Sequence, residues 1–556
     1  MNSLNDRNQT HKPLVNDRFI QRFCNRDVTL WAENEVDMEE VSHRLDWLDA
    51  AHFGNDTIQH AESLLDGLLS EGFSHAVVLG MGGSSLAPEV FSQIFLNSQQ
   101  YEKIGLNLSI LDTTNPEQIQ AKRSELPIEK TLFIVSSKSG STAEVNALEA
   151  YFWTELTKSG IKEPGSHFIA ITDPGTSLSK KGKEKGYRQI ILANPNVGGR
   201  YSALIAFGLV PAALMGIDCR RLSAKAQTME ISCQNQQSAS ENPGLILGGF
   251  LAENYKAGRD KLTLIADPEL ASFGSWIEQL IAESSGKNNV GILPIDLEPP
   301  RESQSYGEDR IFIYYSFDGR HAAFLESLSQ AGFPALTFHI RDPYDIGTEF
   351  LRWEIATAVA CALIGVNAFD QPNVQLSKAI TQQMISEIKK NFSISRESPF
   401  FETGEIELFG KPVVSDRHVN IGGFLADFLG KVQQGDFVAI NAFVSRNSEN
   451  LASLQQIRER IAKNTKAATT LGFGPRFLHS TGQLHKGGKN NGHFLIITSE
   501  RDKDIEIPGE GMNFGTLQIA QAIGDMRALQ QQNRHVLRLH IKKGNSILAG
   551  LSKLVI

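Results

Sequence analysis

Short apolar runs alternate with stretches of helical periodicity along most of the chain. Ala76-Val77-Val78-Leu79 reads as a buried strand and Ser85 to Phe95 as the helix after it. The alternation continues with strands at Leu106 to Leu111, Leu132 to Val135, His167 to Thr172 and Ile190 to Leu192. Between and after them fall helical patterns at Pro116 to Leu126, Ala143 to Phe152, the charged Lys180 to Lys185, and the very apolar Arg200 to Met215. Strands alternating with helices over this length predict a parallel, doubly wound sheet.

A polar stretch, Gln234 to Asn242, reads as a linker. After it the pattern restarts, with strands at Lys261 to Ala266, Ile292 to Ile295, Arg310 to Ser316 and Ala335 to Ile340. The helices of this part are Ala271 to Ser285, His321 to Ala331 and Thr348 to Ile364. A further α/β stretch follows, with strands at Asp436 to Val444, His493 to Ile497 and Val536 to Ile541, and helices at Glu449 to Thr465 and Thr516 to Gln531. The expected division is an N-terminal packing arm over 1–56, α/β domains over 57–233 and 243–400, and a C-terminal α/β unit over 401–556. No sequence repeat links them.

Composition narrows the function. The 556 residues, 41% hydrophobic and 21% charged, suffice for several cores. A net charge of −9 argues against a nucleic-acid partner but leaves room for a local pocket that takes a small anion. Cys24, Cys219, Cys233 and Cys361 form no C-x-x-C pair and read as free thiols in a reducing cytoplasm. The N-terminus has no apolar signal region. The longest uncharged run, Tyr201 to Ile217, carries Pro211 and falls short of the roughly 20 residues a membrane span needs. No H-E-x-x-H or carboxylate cluster suggests a metal, and no cofactor is expected.

The candidate chemistry lies at strand ends. Ser136-Ser137-Lys138-Ser139-Gly140-Ser141-Thr142 connects a strand to a helix N-terminus, where unpaired N–H groups and the helix dipole favour an anion. Ser137, Ser139, Ser141 and Thr142, with Lys138 nearby, can complete the shell of a phosphate monoester. The alternative is a hydroxyl-rich helix cap. Gly80-Met81-Gly82-Gly83-Ser84 follows another parallel strand and points to the same crevice. Ser85 stands where the last Gly of a dinucleotide fingerprint belongs, so that reading fails. Glu283 sits on the apolar stripe of its helix and in its last turn, which should raise its pKa toward that of a general base. The competing reading bridges it to Lys287. Lys378 is either catalytic or a snorkelling surface Lys. Arg200 offers fixed positive charge for an oxyanion, or else an ion pair between domains. The long Gly-rich loop from Gly472 to Gly492 holds His479 and His485.

These residues resemble the glucose-6-phosphate isomerase family. The segments Gly80 to Pro88, Ser137 to Glu144, Gly198-Gly199-Arg200-Tyr201-Ser202, Glu283-Ser284-Ser285-Gly286-Lys287 and Phe369-Asp370-Gln371…Lys378 are similar to its motifs and follow their order. The resemblance implies two doubly wound parallel-sheet sugar-isomerase (SIS-like) domains, plus the C-terminal α/β unit. It also implies a cytoplasmic, metal-free isomerase that interconverts glucose 6-phosphate and fructose 6-phosphate through a cis-enediol. Glu283, Lys378 and Arg200 would be catalytic. Gly83, Ser84, Ser137, Lys138, Ser139, Ser141, Thr142 and Gln371 would bind the sugar phosphate. The family's ring-opening His has no clear match between Glu283 and Phe369. His485 is expected to take that role, with His479 second and His321 third. The Gly-Pro-Arg-Phe-Leu-His-Ser-Thr-Gly-Gln-Leu-His-Lys-Gly-Gly stretch at 474–488 is similar to the C-terminal part of fusions joining transaldolase to this isomerase, without room here for the transaldolase half. A homodimer is left open, and neither nucleic acid nor membrane is an expected partner. The alternatives are an isomerase of another sugar phosphate and a non-catalytic regulator that senses sugar phosphates.

Overall fold

The structure, a computed structural model, describes residues 14–98, 105–234, 241–391, 397–411, 420–501, 503–542, 548–551 and 553. The first sheet contains β1 (His75–Leu79), β2 (Asn107–Leu111), β3 (Thr131–Ser136), β4 (Phe168–Thr172) and β5 (Gln189–Leu192) in the order β2-β1-β3-β4-β5, all parallel. β3 and β4 are buried along their whole length, which is why they read as unbroken apolar runs. The second sheet, β6 (Lys261–Ala266), β7 (Leu293–Ile295), β8 (Arg310–Ser316) and β9 (Ala335–His339), runs β7-β6-β8-β9 and is also parallel.

The third sheet is mixed. It holds β10 (Phe401–Glu402), β11 (Ile406–Gly410), β12 (Phe437–Phe443), β13 (Ala468–Phe473), β14 (Gly492–Ser499) and β17 (His535–Ile541) in the order β10-β11-β17-β14-β12-β13. β15 (Glu506–Ile507) and β16 (Met512–Asn513) form a separate short hairpin. The four parallel strands β13-β12-β14-β17, counted within their unit, run 2-1-3-4, the order with which both other sheets begin. All three units therefore reverse winding between their first and third strands, where an open α/β sheet leaves a crevice at its carboxyl ends.

Packing departs from the expected boundaries at both ends. The Ala50–Ser70 helix runs through the boundary placed at residue 56. The arm before it is built into the core: Trp47 lies 4.8 Å from Tyr201, and Trp31 Nε1 donates to the Ala358 carbonyl at 2.8 Å. The first two units share one hydrophobic core, running from Trp47 and Tyr201 to Trp276, Phe350 and Phe369. The Val374–Asn391 helix lies past the second sheet but packs Met384 against Ala520 and Ile523 of the third unit. The linker expected at 234–242 falls largely on residues outside those described. The four cysteines are unpaired, three of them buried. Among the described residues no helix is long and apolar enough to cross a membrane.

Candidate active site

The hydroxyl-rich turn closes β3 and opens the Ala143–Lys158 helix. Thr142 stands at the helix N-cap without capping it; its hydroxyl meets Ser137 Oγ at 3.0 Å. Ser139 and Ser141 are exposed and their hydroxyls lie 3.1 Å apart. The helix N-terminus thus keeps N–H groups for an anion, ringed by hydroxyls. Gly140 takes a left-handed φ of +68°, and a Cβ there would lie 2.9 Å from Leu178 N, so the turn needs Gly. Lys138 also bonds within the chain. Its ammonium donates to Asp173 Oδ2 at 2.5 Å and to the Pro195 carbonyl at 3.2 Å.

The matching turn of the second unit is already filled. After β8, the Phe317 and Asp318 N–H groups donate to Asp267 Oδ2 at 2.7 and 3.0 Å, and Tyr314 donates to Oδ1 at 2.7 Å. In the second unit a buried carboxylate of the chain itself takes these backbone donors. His321 lies at this closed turn, edge-on to Tyr314.

Glu283 lies in the last turn of the Ala271–Ser285 helix, and its carboxylate has polar partners. Gln279, one turn earlier, donates to Oε2 at 3.1 Å, and Arg200 Nη1 stands 3.8 Å from Oε1. The bridge to Lys287 does not form, because Lys287 donates to Asp370 Oδ1 and to two carbonyls instead. Arg200 is 4% exposed and joins two units: Nε donates to Ser284 Oγ at 2.8 Å and Nη2 to the Ala368 carbonyl at 2.6 Å. Gln371 accepts from Nη1 at 3.4 Å. Lys378 lies on the Val374–Asn391 helix, and its side chain falls outside the described residues.

The glycine turn after β1 brings these parts together. At Gly83 a Cβ would stand 2.0 Å from the Gly199 carbonyl oxygen, next to Arg200. At Gly82 it would meet Gln279 Nε2 and the His479 carbonyl, both at 2.8 Å. Ser84 is buried at the same turn. Gln279 donates to that His479 carbonyl at 2.8 Å while also holding Glu283.

His479 and His485 part company. His479 Nε2 lies 3.0 Å from Glu144 Oε1, in the first turn of the helix that carries the hydroxyl cradle. Gln521 donates to the same carboxylate oxygen at 2.7 Å. His485 points into the third unit's core, its ring 5.0 Å from Phe494 and 6.1 Å from Phe477. Neither of its nitrogens has a hydrogen-bond partner among the described residues. Burial pushes its pKa far below the ordinary imidazole range. His479 thus faces a carboxylate, whereas His485 is enclosed by aromatic rings.

The expected long loop is mostly ordered turn and helix (Arg476–His479 and Gly482–Gly487), and it clasps both other units. Arg476 pairs with Asp112 at 2.8 Å and with Glu89. Gln483 accepts from Asn373 N and donates to the Gly286 carbonyl, both at 2.9 Å. Gln279 and Gln521 were missed by sequence reasoning. Gln279 stands four residues before Glu283 on one helix face, a signal that was legible; Gln521 is brought in only by the third unit's docking.

Residues 55–308 match the phosphoglucose isomerase family model. A probable glucose-6-phosphate isomerase of Methanococcus maripaludis is 28% identical over 354 residues, covering 57% of this chain and 80% of its own. The glucose-6-phosphate isomerase of Prochlorococcus marinus is 29% identical over 378 residues, covering 61% and 70%. In structure, a hypothetical protein of Thermus thermophilus matches with a TM-score of 0.57 at 24% identity, over 66% of this chain and 94% of that one. A glucose-6-phosphate isomerase of Chlamydia trachomatis matches with a TM-score of 0.56 at 19% identity, over 68% and 87%. Over residues 55–308 this chain is similar in sequence to phosphoglucose isomerases, and over about two thirds of its length it shares the fold of these two solved structures.

Proposed function

We propose that the chain is a glucose-6-phosphate isomerase, an enzyme that exchanges the aldose and ketose forms of a six-carbon sugar phosphate. One observation carries the reading. Three hydrogen bonds, Glu283 to Gln279, Gln279 to the His479 carbonyl, and His479 to Glu144, lead from the Glu283 carboxylate to the first turn of the helix behind the hydroxyl turn. In this reading the dianion sits at one end of that chain of contacts and C1 and C2 at the other.

In this reading Ser137, Ser139, Ser141, Thr142 and the helix N-terminus hold the phosphate, and its binding energy fixes the carbon chain. His479, oriented by Glu144, passes a proton between the ring oxygen and the anomeric hydroxyl together with Lys378. Glu283 removes a proton from one carbon and returns it to its neighbour; a single carboxylate on one face serves a cis-enediol. Arg200 Nη1 stabilises the enediolate charge, and Gly83, Ser84 and Gln371 line the carbon chain. The third unit, read as the C-terminal part of the transaldolase-fused type, supplies the ring-opening His from the same chain. A coupled assay with fructose 6-phosphate, run with and without chelator, tests the reading. Turnover unaffected by chelator is the expected result, and phosphate binding without turnover would leave a sensing role instead.

A further inference from the structure

Lys287 follows the helix that carries Glu283 and is 1% exposed. Its ammonium donates to the Asn367 carbonyl at 2.6 Å, the Asp370 carbonyl at 2.7 Å and Asp370 Oδ1 at 2.5 Å. An ammonium has three N–H bonds, and all three are used on one turn. Arg200 reaches the same turn from the other side, and its Nη2 takes the Ala368 carbonyl at 2.6 Å and the Asp370 carbonyl at 3.1 Å. The Asp370 carbonyl is therefore shared by the two cations. With Nε held by Ser284, Nη1 is the part of the guanidinium directed at Glu283 and Gln371.

We propose that Lys287 is a positioning residue for the isomerisation: it pins the 367–370 turn, which braces Arg200 and thereby aims its free nitrogen at the reacting carbons. The proposal rests on the isomerase reading above. Like charges normally avoid each other in a dry site, and here two cations converge on one carbonyl. Burial first, and Arg200's charge second, push the Lys287 pKa down to about 8. A tie whose only task was to hold a loop would be made at lower cost by a neutral donor.

The test uses the full chain. Lys287→Met should lower kcat about 10- to 100-fold, the scale of a misplaced catalytic group. KM and the affinity for inorganic phosphate should stay within about threefold, because the cradle lies in another unit. In an Arg200→Lys background the same substitution should cost less than about threefold, since Lys287 acts through Arg200. Full kcat in Lys287→Met, or losses that simply add in the double variant, would overturn the proposal. Should Lys287→Met fail to fold, Asp370→Asn, at a partly exposed side chain, loosens the same tie and must show the same non-additivity with Arg200→Lys. A wild-type chain that does not turn over fructose 6-phosphate removes the isomerase reading itself. Wild-type turnover with an indifferent Lys287 removes only the positioning role.

Discussion

His479 Nε2 meets Glu144 Oε1 at 3.0 Å, joining residues 335 positions apart in the chain. A carboxylate so placed fixes the imidazole's tautomer and supports its charge when it takes a proton. His479→Gln should lower kcat for fructose 6-phosphate about 10- to 100-fold, and leave a four-carbon aldose phosphate, too short to close the same ring, within about threefold. His485→Leu should keep activity on both. It should also resist acid better, because a buried neutral His loses stability as pH falls below its unfolded value near 6.5.

Glu283→Gln keeps the shape and the Gln279 contact but cannot accept a proton from carbon. Its kcat should fall at least ~10²-fold, while phosphate binding is unchanged. Exchange of the C2 hydrogen with solvent, followed by NMR, should vanish with it.

Ser141→Asp sets a carboxylate in the cradle where the dianion belongs. Repulsion between anions should raise KM on the order of 10²-fold at low salt, with kcat at saturation far less affected.

Gly83→Ala has no room to relax, since the new methyl carbon would stand 2.0 Å from a backbone oxygen rather than a movable side chain. Displacing the Gly199 peptide shifts Arg200, so kcat should drop by about 10²-fold or more while β1 and its sheet persist by circular dichroism.

Glu278 is pushed up to about 8 by burial and by the neighbouring Asp296 carboxylate. An acid that holds its proton more tightly in the folded chain gives its full stabilisation below the unfolded value of 4.5 and loses it as pH rises toward 8. Glu278→Gln should therefore match wild type near about pH 4.5 and exceed it by on the order of 1–2 kcal/mol near about pH 8, read from urea midpoints.

Much of this was written in periodicity. β1, β3 and β6 announce themselves because both faces are covered and most of their residues are apolar. β13 went unread because its Ala468-Thr469-Thr470 run looks like a loop until β12 pairs with it. β10 and β11 are short antiparallel additions at a sheet edge, with no helix between them to mark a unit. At the site, Glu283, Arg200 and the hydroxyl turn could be named from local sequence. The choice between two His in one loop could not, because it depends on which of them faces a carboxylate and which faces three Phe rings.

Asp267 gives the molecule an internal stoichiometry. All three α/β units wind in the same order, and of the first two, which share one core, only the first leaves its turn open to a dianion, because the second seats the chain's own carboxylate before any ligand arrives. Each polypeptide should then titrate with a single equivalent of inorganic phosphate, and that equivalent marks the working half of the pair.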